Sequence, residues 1–372
     1  MRNIVEEGLS RIMIFDNVFY NPMAKFNRSL GVVFLNSLGH IINRGDLVVA
    51  DVMAATGVRG IRYYLESHSV GEVFFNDLSK NAYRCILDNI SLNNMRGVSN
   101  VTAFNVEKFM SLFTGLPFDF IDVDPFGSPL PYIPPLFNNL RRREGFLAFT
   151  ATDLMTLCGV HLEALSRKYG VHMIKTDFCH ELAIRVILKN IYLVASYYDY
   201  FIYPLLATFE NQYVRIYLRY RKSPSKIDLN KIGYIIIDDH NYRHISYEVV
   251  GSLELTNSRL LGPIWIDSYI DRSFISLMVD RSKEVGQNLN LLNEYKPVTK
   301  YLSRMLIDDT SIPYIYRISK LCKKLKVPQP AIKNILEALQ SMGYKAYRAF
   351  LYPDGIRTDA PINEIFRILK KT

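Results

Sequence analysis

Between positions 47 and 218, short apolar runs alternate with longer stretches of helical period. The runs are LVVAD (47–51), VFFND (73–77), VTAFN (101–105), FDFIDVD (118–124) and FLAFT (146–150). Between them lie segments such as GIRYYLESHS (60–69) and SKNAYRCILDNISLNN (79–94), where Ile86, Leu87 and Ile90 follow helical spacing. Short buried strands alternating with helices predict a parallel sheet covered on both faces, an α/β Rossmann-like fold. Two later runs, PLLATF (204–209) and QYVRIYLRYRK (212–222), have no long helix between them and predict an antiparallel pair at the sheet edge. From 222 to 256 the pattern weakens into loop or small sheet, and a domain boundary is expected there: 1–255 for the large domain, 256–372 for a smaller α+β one. Near the end, YRISKLCKKLK (316–326) and PQPAIKNILEALQSMG (328–343) predict two helices. The second carries an apolar stripe of Ile332, Ile335, Leu336 and Leu339. Two extended pieces then meet at Pro353-Asp354-Gly355, a turn signal. Helix, helix and hairpin together predict a winged-helix-like unit.

A length of 372 residues agrees with two domains. With 49% hydrophobic and 22% charged residues, the chain can build full cores, and long disordered spans are not expected. The net charge of +9 fits a polyanionic partner, although many basic proteins have none. Cys85, Cys158, Cys179 and Cys322 are too scattered for a disulfide framework and point to a reducing compartment. The first residues lack a signal-peptide core, and no window approaches the ~20 apolar residues of a membrane span. A soluble, cytoplasmic protein with no membrane contact and no evident obligate protein partner is the expectation.

Candidate chemistry gathers at the ends of the apolar runs. In DVMAATGVRG (51–60), a strand ends at Asp51 and a helix begins near Gly60, with small residues including Gly57 filling the turn. Small side chains let a ligand approach backbone, as in nucleotide-binding turns, and an ordinary strand-to-helix turn has the same look. The next tip carries Asp77, a carboxylate placed to accept hydrogen bonds from a ribose diol. The third carries Asn105 and Val106, near where an adenine would lie. The fourth ends in Asp124-Pro125-Phe126-Gly127. This quartet suits methylation of an exocyclic amine. The Asp124 carboxylate and Pro125 carbonyl accept from the amine, Asp124 takes the proton, and Phe126 stacks the base. A rigid proline-rich loop closing a strand is the plainer alternative.

At this level of detail the chain resembles the tRNA guanosine-26 N2-dimethyltransferases, especially their compact archaeal form. The matching segments run almost end to end: VFYNP…FNRSL (18–30), ATGVRGIR (55–62), ND (76–77), DVDPFGSP (122–129), TATD…LCGVH (150–161), RKYG (167–170), CHE (179–181), GPIW (262–265) and GYKA…DGIRTDAP (343–361). The resemblance implies S-adenosylmethionine as methyl donor and guanosine 26 of tRNA as acceptor. It implies that Arg28 and Arg59 contact the donor's carboxylate and its surroundings, that Asp77 binds the ribose, and that Asn105 and Val106 lie by the adenine. It further implies that Phe19 and Phe126 flank the transfer site and that Asp124 is the catalytic acceptor.

Many members of that family carry paired cysteines between the domains, but positions 222–262 hold none, so no metal is expected there. Cys158, His161, Cys179 and His180 match no common zinc spacing. For RNA contact, alternation places Arg215, Arg219 and Arg221 with Tyr213 and Tyr217 on one strand face. That face suits phosphates and bases, and equally the solvated side of an edge strand. Lys320, Lys323 and Lys324 cluster on the basic C-terminal helix and are expected to meet phosphates. Three rivals remain on sequence grounds: a related amine methyltransferase with another target base, a non-catalytic RNA-binding protein, and a DNA-binding regulator built on the winged-helix-like end.

Overall fold

The computed structural model describes residues 3–113, 118–140, 142–210, 212–223, 227–238, 241–247 and 259–371. A hairpin, β1 (Asn3–Glu7) and β2 (Ser10–Ile14), leads into the long helix α1 (Lys25–Ile42). Strict alternation follows: β3 (Leu47–Asp51), α2 (Val58–Glu66), β4 (Val70–Asn76), α3 (Lys80–Leu92), β5 (Ser99–Thr102), α4 (Val106–Leu112), β6 (Phe120–Val123), α5 (Ile133–Asn139) and β7 (Glu144–Ala151). Helices α6 (Leu154–Leu157), α7 (Leu162–Tyr169) and α8 (Cys179–Tyr197) precede the pair β8 (Tyr200–Glu210) and β9 (Tyr213–Lys222).

Among the described residues these strands form one sheet in the order β5-β4-β3-β6-β7-β9-β8. Strands β3 to β7 are parallel, and β9 runs antiparallel between β7 and β8. The apolar runs are near-continuous because helices cover both faces. The chain winds outward from β3 to β5, then returns to β6 on the other side. This reversal opens a crevice at the carboxyl ends of β3 and β6, where open α/β sheets bind ligands. The register sets Asp51 beside Asp122 there.

The N-terminal hairpin has no counterpart in the sequence expectations. Its exposed edge is satisfied by side chains of α3: Asn89 Oδ1 accepts from Met13 N–H at 2.7 Å, and Asn93 Oδ1 from Arg11 N–H at 2.9 Å. Amides spaced four apart on α3 thus stand in for a third strand.

The smaller part begins with β10 (Ile232–Asp238), β11 (Asn241–Ser246) and β12 (Arg259–Trp265), a three-stranded antiparallel sheet with β10 in the middle. The boundary expected at 255/256 lies outside the described residues. This sheet takes strands from both sides of it, since β12 pairs with β10. Helices α9 (Arg272–Asn288) and α10 (Leu292–Met305) pack on each other and on α1. Then come β13 (Tyr316–Arg317), α11 (Ile318–Leu325), α12 (Ile332–Ser341), β14 (Ala346–Arg348), β15 (Gly355–Thr358) and α13 (Ile362–Lys371). The strands pair in the order β13-β15-β14, the winged-helix-like unit anticipated from the sequence. In α12, Ile335 and Leu339 are fully buried, as the apolar stripe requires.

Two buried ionic clusters clamp the parts together. Arg62 reaches Glu7 at 2.9 Å and Glu66 at 2.8 Å, while Glu66 also accepts from Tyr295 of α10. On the other side, Arg357 of β15 donates to Glu181 of α8 at 2.7 Å and to Asp308 at 2.8 Å. Burial works against the Glu181 charge, but Arg357 and Arg185 outweigh it and hold its carboxyl below the usual range. Removing one partner of such a cluster leaves an uncompensated buried charge.

Candidate active site

A cavity of about 380 Å³ occupies the crevice at the strand ends, within the size range of small-ligand sites. Its floor is the turn after β3. Gly57 caps α2 in the left-handed region (φ 79°), which glycine adopts without steric cost. A Cβ at Gly60 would lie 2.4 Å from a Phe75 ring carbon, so only glycine lets α2 sit this close to β4. Asp77 braces the turn, accepting from Ala55 N–H and from Ser79 N–H, each at 2.9 Å. Asn76 donates to the carbonyls of Val52 (3.1 Å) and Phe104 (2.9 Å), which stitches three strand tips together. Asn105 caps α4 through Lys108 N–H, and both Asn105 and Val106 line the cavity. Arg28 lines it too, with its guanidinium held by Glu7 at 2.6 and 2.5 Å.

Beneath the fourth tip lies a chain of buried charges. Arg59 donates to Asp124 and, at 3.0 Å, to Asn27 Oδ1. Asp122 lies 3.7 Å from Arg59 and accepts from Tyr63 at 2.7 Å. Arg215 donates to both Asp122 oxygens and, at 2.9 Å, to Thr150 Oγ1. Burial opposes the charge on Asp122, but Arg215 and Arg59 outweigh it and keep its carboxyl below the ordinary range. Asp51 has no such partner in contact. Burial first, then the neighbouring Asp122, raises its carboxyl to about 7. A cationic ligand group near Asp51 would restore its charge.

The loop after Asp124 is fixed by the segment after β7. Gly127 N–H donates to Thr152 Oγ1 at 2.7 Å, and Thr152 N–H donates back to the Gly127 carbonyl at 2.8 Å. The Tyr169 hydroxyl donates to Asp153 at 2.7 Å and lies 2.8 Å from Ser128 Oγ. So anchored, the loop holds Phe126 out in solvent, 73% exposed. Phe19, 53% exposed, meets it edge to face with ring centroids 4.7 Å apart. Two exposed aromatic rings at a cavity mouth are costly unless something stacks on them.

The structure therefore gathers Phe19, Arg28, Asp51, Arg59, Asp77, Asn105, Val106, Asp124, Pro125 and Phe126 around one cavity, with Gly57 shaping the turn beneath it. Arg215 is a correction. Expected to contact RNA from a basic strand face, it is fully buried against Asp122 because β9 is an inner strand with both faces covered. Tyr213 and Tyr217 are buried as well. On the same strand, Arg219 pairs with Glu144, and Arg221 is exposed. Lys320, Lys323 and Lys324 are exposed on α11. Sequence reasoning missed Asn27, Tyr63, Asp122, Thr150, Thr152, Asp153 and Tyr169 as supports. Asp122 and Arg215 left a trace, since a charge inside an apolar run calls for a buried partner.

The winding of the sheet and the placement of the cavity define a Rossmann-like methyltransferase. Comparisons with known proteins narrow this class. The profile of the family described as TRM, N2,N2-dimethylguanosine tRNA methyltransferase, matches residues 2–370. A Pyrococcus horikoshii protein named tRNA (guanine(26)-N(2))-dimethyltransferase is 32% identical, over 99% of this chain and 98% of its own. An Aquifex aeolicus protein named tRNA (guanine(26)-N(2)/guanine(27)-N(2))-dimethyltransferase is 27% identical, over 99% and 96%. The solved structure of Trm1 from Pyrococcus horikoshii with S-adenosyl-L-methionine is similar at a TM-score of 0.85, with 30% identity and 99% of both chains covered. This chain belongs to the N2,N2-dimethylguanosine tRNA methyltransferase family.

Among the described residues, Cys158, Cys179 and His180 bring their potential ligand atoms within 4.8 Å of one another. His161, considered with them in the sequence, is exposed and is not part of this group. No helix among the described residues is long and apolar enough to cross a membrane.

Proposed function

We propose that this chain transfers methyl groups from S-adenosylmethionine to the exocyclic N2 of guanosine 26 in tRNA, the activity named for its relatives. One observation carries the assignment of the site: Asp124 stands beside the exposed Phe126 at the mouth of a cavity whose floor is lined by buried charge.

The cavity fits a nucleoside donor. Asp77 and the small turn before it suit the ribose, and Asn105 with Val106 suits the adenine. Arg59 and Arg28 supply positive charge for a carboxylate, and Asp51 supplies a counter-charge for an ammonium group. Thr56 Oγ1, on the same lining, is buried with no partner among the described residues, so a polar group is wanted there. The donor supplies an electrophilic methyl carbon on a sulfonium.

The chain's own work is at the amine. Phe126 and Phe19 stack the extruded base, since a base buried in folded tRNA must leave its stack to be reached. The Asp124 carboxylate and the Pro125 carbonyl accept from the amine. As nitrogen gains carbon, Asp124 takes its proton. After one methylation, N2 still carries a hydrogen, so the same carboxylate serves a second round. Arg59, fixed by Asn27, keeps Asp124 oriented. The lysines of α11 hold tRNA phosphates, and the exposed Arg221 with Arg219, both beside the amino end of β7, offer a second set of phosphate contacts. Such contacts set register rather than base choice. A tRNA substrate supports a cytoplasmic location for the reaction.

The test is incubation with S-adenosylmethionine and tRNA transcripts bearing guanosine or adenosine at position 26, followed by nucleoside mass spectrometry. Methylated and dimethylated guanosine from the first transcript alone is expected. Equal product from both would move the target elsewhere, and a third transcript lacking guanosine 27 would report use of that position.

A further inference from the structure

Away from the cavity, α6 and the start of α8 bring Cys158 and Cys179 together. Both side chains are half-buried, so small molecules reach them. The two sulfurs lie within 4.8 Å of each other. We infer that Cys158 and Cys179 form a thiol–disulfide exchange pair, with Cys179 the attacking thiol and Cys158 the resolving one, open to low-molecular-weight disulfides.

The surroundings separate the two roles. Cys179 is the first residue of the 19-residue helix α8, so the free N–H groups and positive end of that helix face its sulfur. The Cys179 and His180 N–H groups and the Arg317 guanidinium stand on the Cys179 side of the pair, where they favour negative charge on sulfur. Arg317 is held in place, stacked over Tyr352 at 4.3 Å and bonded to Asp354 at 2.7 Å. The His180 ring lies flat against Phe209, centroids 3.8 Å apart, and its backbone N–H donates to the Tyr352 hydroxyl at 3.1 Å.

The exchange balances with glutathione disulfide as the oxidant. The Cys179 thiolate attacks one of its sulfurs, an S–S bond breaks, and one glutathione thiolate leaves and takes up a proton. Cys158, losing its proton to solvent, then attacks Cys179 Sγ and expels the second glutathione. Two electrons pass from the protein to the oxidant, and one intramolecular disulfide remains. The bridge would tie the segment after Thr152, which anchors the Phe126 loop, to the helix that meets the C-terminal unit.

The full chain, purified reduced, is incubated with glutathione disulfide, weighed intact, then alkylated in denaturant so that the buried Cys85 and Cys322 react, and mapped by mass spectrometry, with zinc content measured beforehand. The expected result is a loss of about two mass units, with Cys158 and Cys179 alone protected from alkylation. Cys158→Ser should retain a glutathione adduct on Cys179, while Cys179→Ser should lose most of the adduct at either position. Alkylation of both cysteines in the treated wild type would overturn the inference. So would equal adduct formation on Cys158 in Cys179→Ser, or a stoichiometric metal ion that must be stripped before oxidation proceeds.

Discussion

Arg215 donates to both carboxylate oxygens of Asp122, at 2.7 and 2.5 Å, with both side chains fully buried inside the sheet. The pair links β9 to β6 directly under the loop that carries Asp124. Arg215→Ala would leave the Asp122 charge short of its main partner. A loss of about 3–5 kcal/mol in unfolding free energy is expected, measured by denaturant titration. The salt dependence of tRNA binding should not change. A well-folded variant with a weakened salt slope would return Arg215 to the RNA surface.

Asp124 is half-exposed and lines the cavity beside Phe126. In Asp124→Ala, single-turnover methyl transfer should fall by at least about 100-fold, the usual scale for losing a positioned acid–base group. Donor binding, followed by calorimetry, should persist because the proposed ribose and adenine contacts, Asp77, Asn105 and Val106, are elsewhere. Full transfer by this variant would remove Asp124 from the mechanism.

Phe126 and Phe19 are both largely exposed, and their rings meet edge to face. Stacking a base on an aromatic ring contributes about 1–3 kcal/mol. Phe126→Ala should therefore weaken productive tRNA binding by roughly 5- to 150-fold. Its thermal midpoint should hardly move, since exposed positions rarely contribute to stability. A large drop in the midpoint with unchanged kinetics would mark Phe126 as a structural plug.

Asp51 sets a pH signature. Its carboxyl titrates near 7 in the folded chain against an ordinary value of 3.8, so the folded state holds the extra proton between those limits. Unfolding there releases a proton, and the contribution of Asp51 to stability declines as pH rises from about 4 to 7. Asp51→Asn lacks this titration. Its stability relative to the native chain should rise between pH 5 and pH 8, by an amount on the order of a few kcal/mol. A difference independent of pH would show that Asp51 ionises normally.

Lys320, Lys323 and Lys324 project from α11 into solvent. Replacing all three with alanine should flatten the log–log salt dependence of tRNA affinity by about one for each phosphate left without its lysine. Donor affinity should be unaffected. An unaltered slope would place the RNA on another face.

The sheet was legible in the sequence because its strands are buried on both sides. LVVAD, FDFIDVD and FLAFT read as apolar runs whatever surrounds them, and the carboxyl ends of such runs are where ligands collect. Asp51, Asp77, Asn105 and Asp124 were singled out that way, by position along single strands, and all four line the same cavity. The winged-helix-like unit was equally local, marked by one amphipathic stripe and one Pro-Asp-Gly turn. Long-range partners were not. Alternation along β9 separated Arg215 from Val214, but it cannot say whether a polar face meets water or a buried carboxylate. That depends on β9 lying between β7 and β8, with Asp122 two strands away. The N-terminal hairpin pairs locally, but its docking was hidden likewise, because the Asn89 and Asn93 side chains that satisfy its outer edge lie 76 and 82 residues away in sequence. Sequence by itself determined the elements and the strand ends at which chemistry gathers, since these follow from hydrophobic period and turn residues within a few positions. Only the tertiary structure decided which charges pair, which thiols meet and which aromatic rings stay exposed, because burial and Coulomb interactions depend on distance in space.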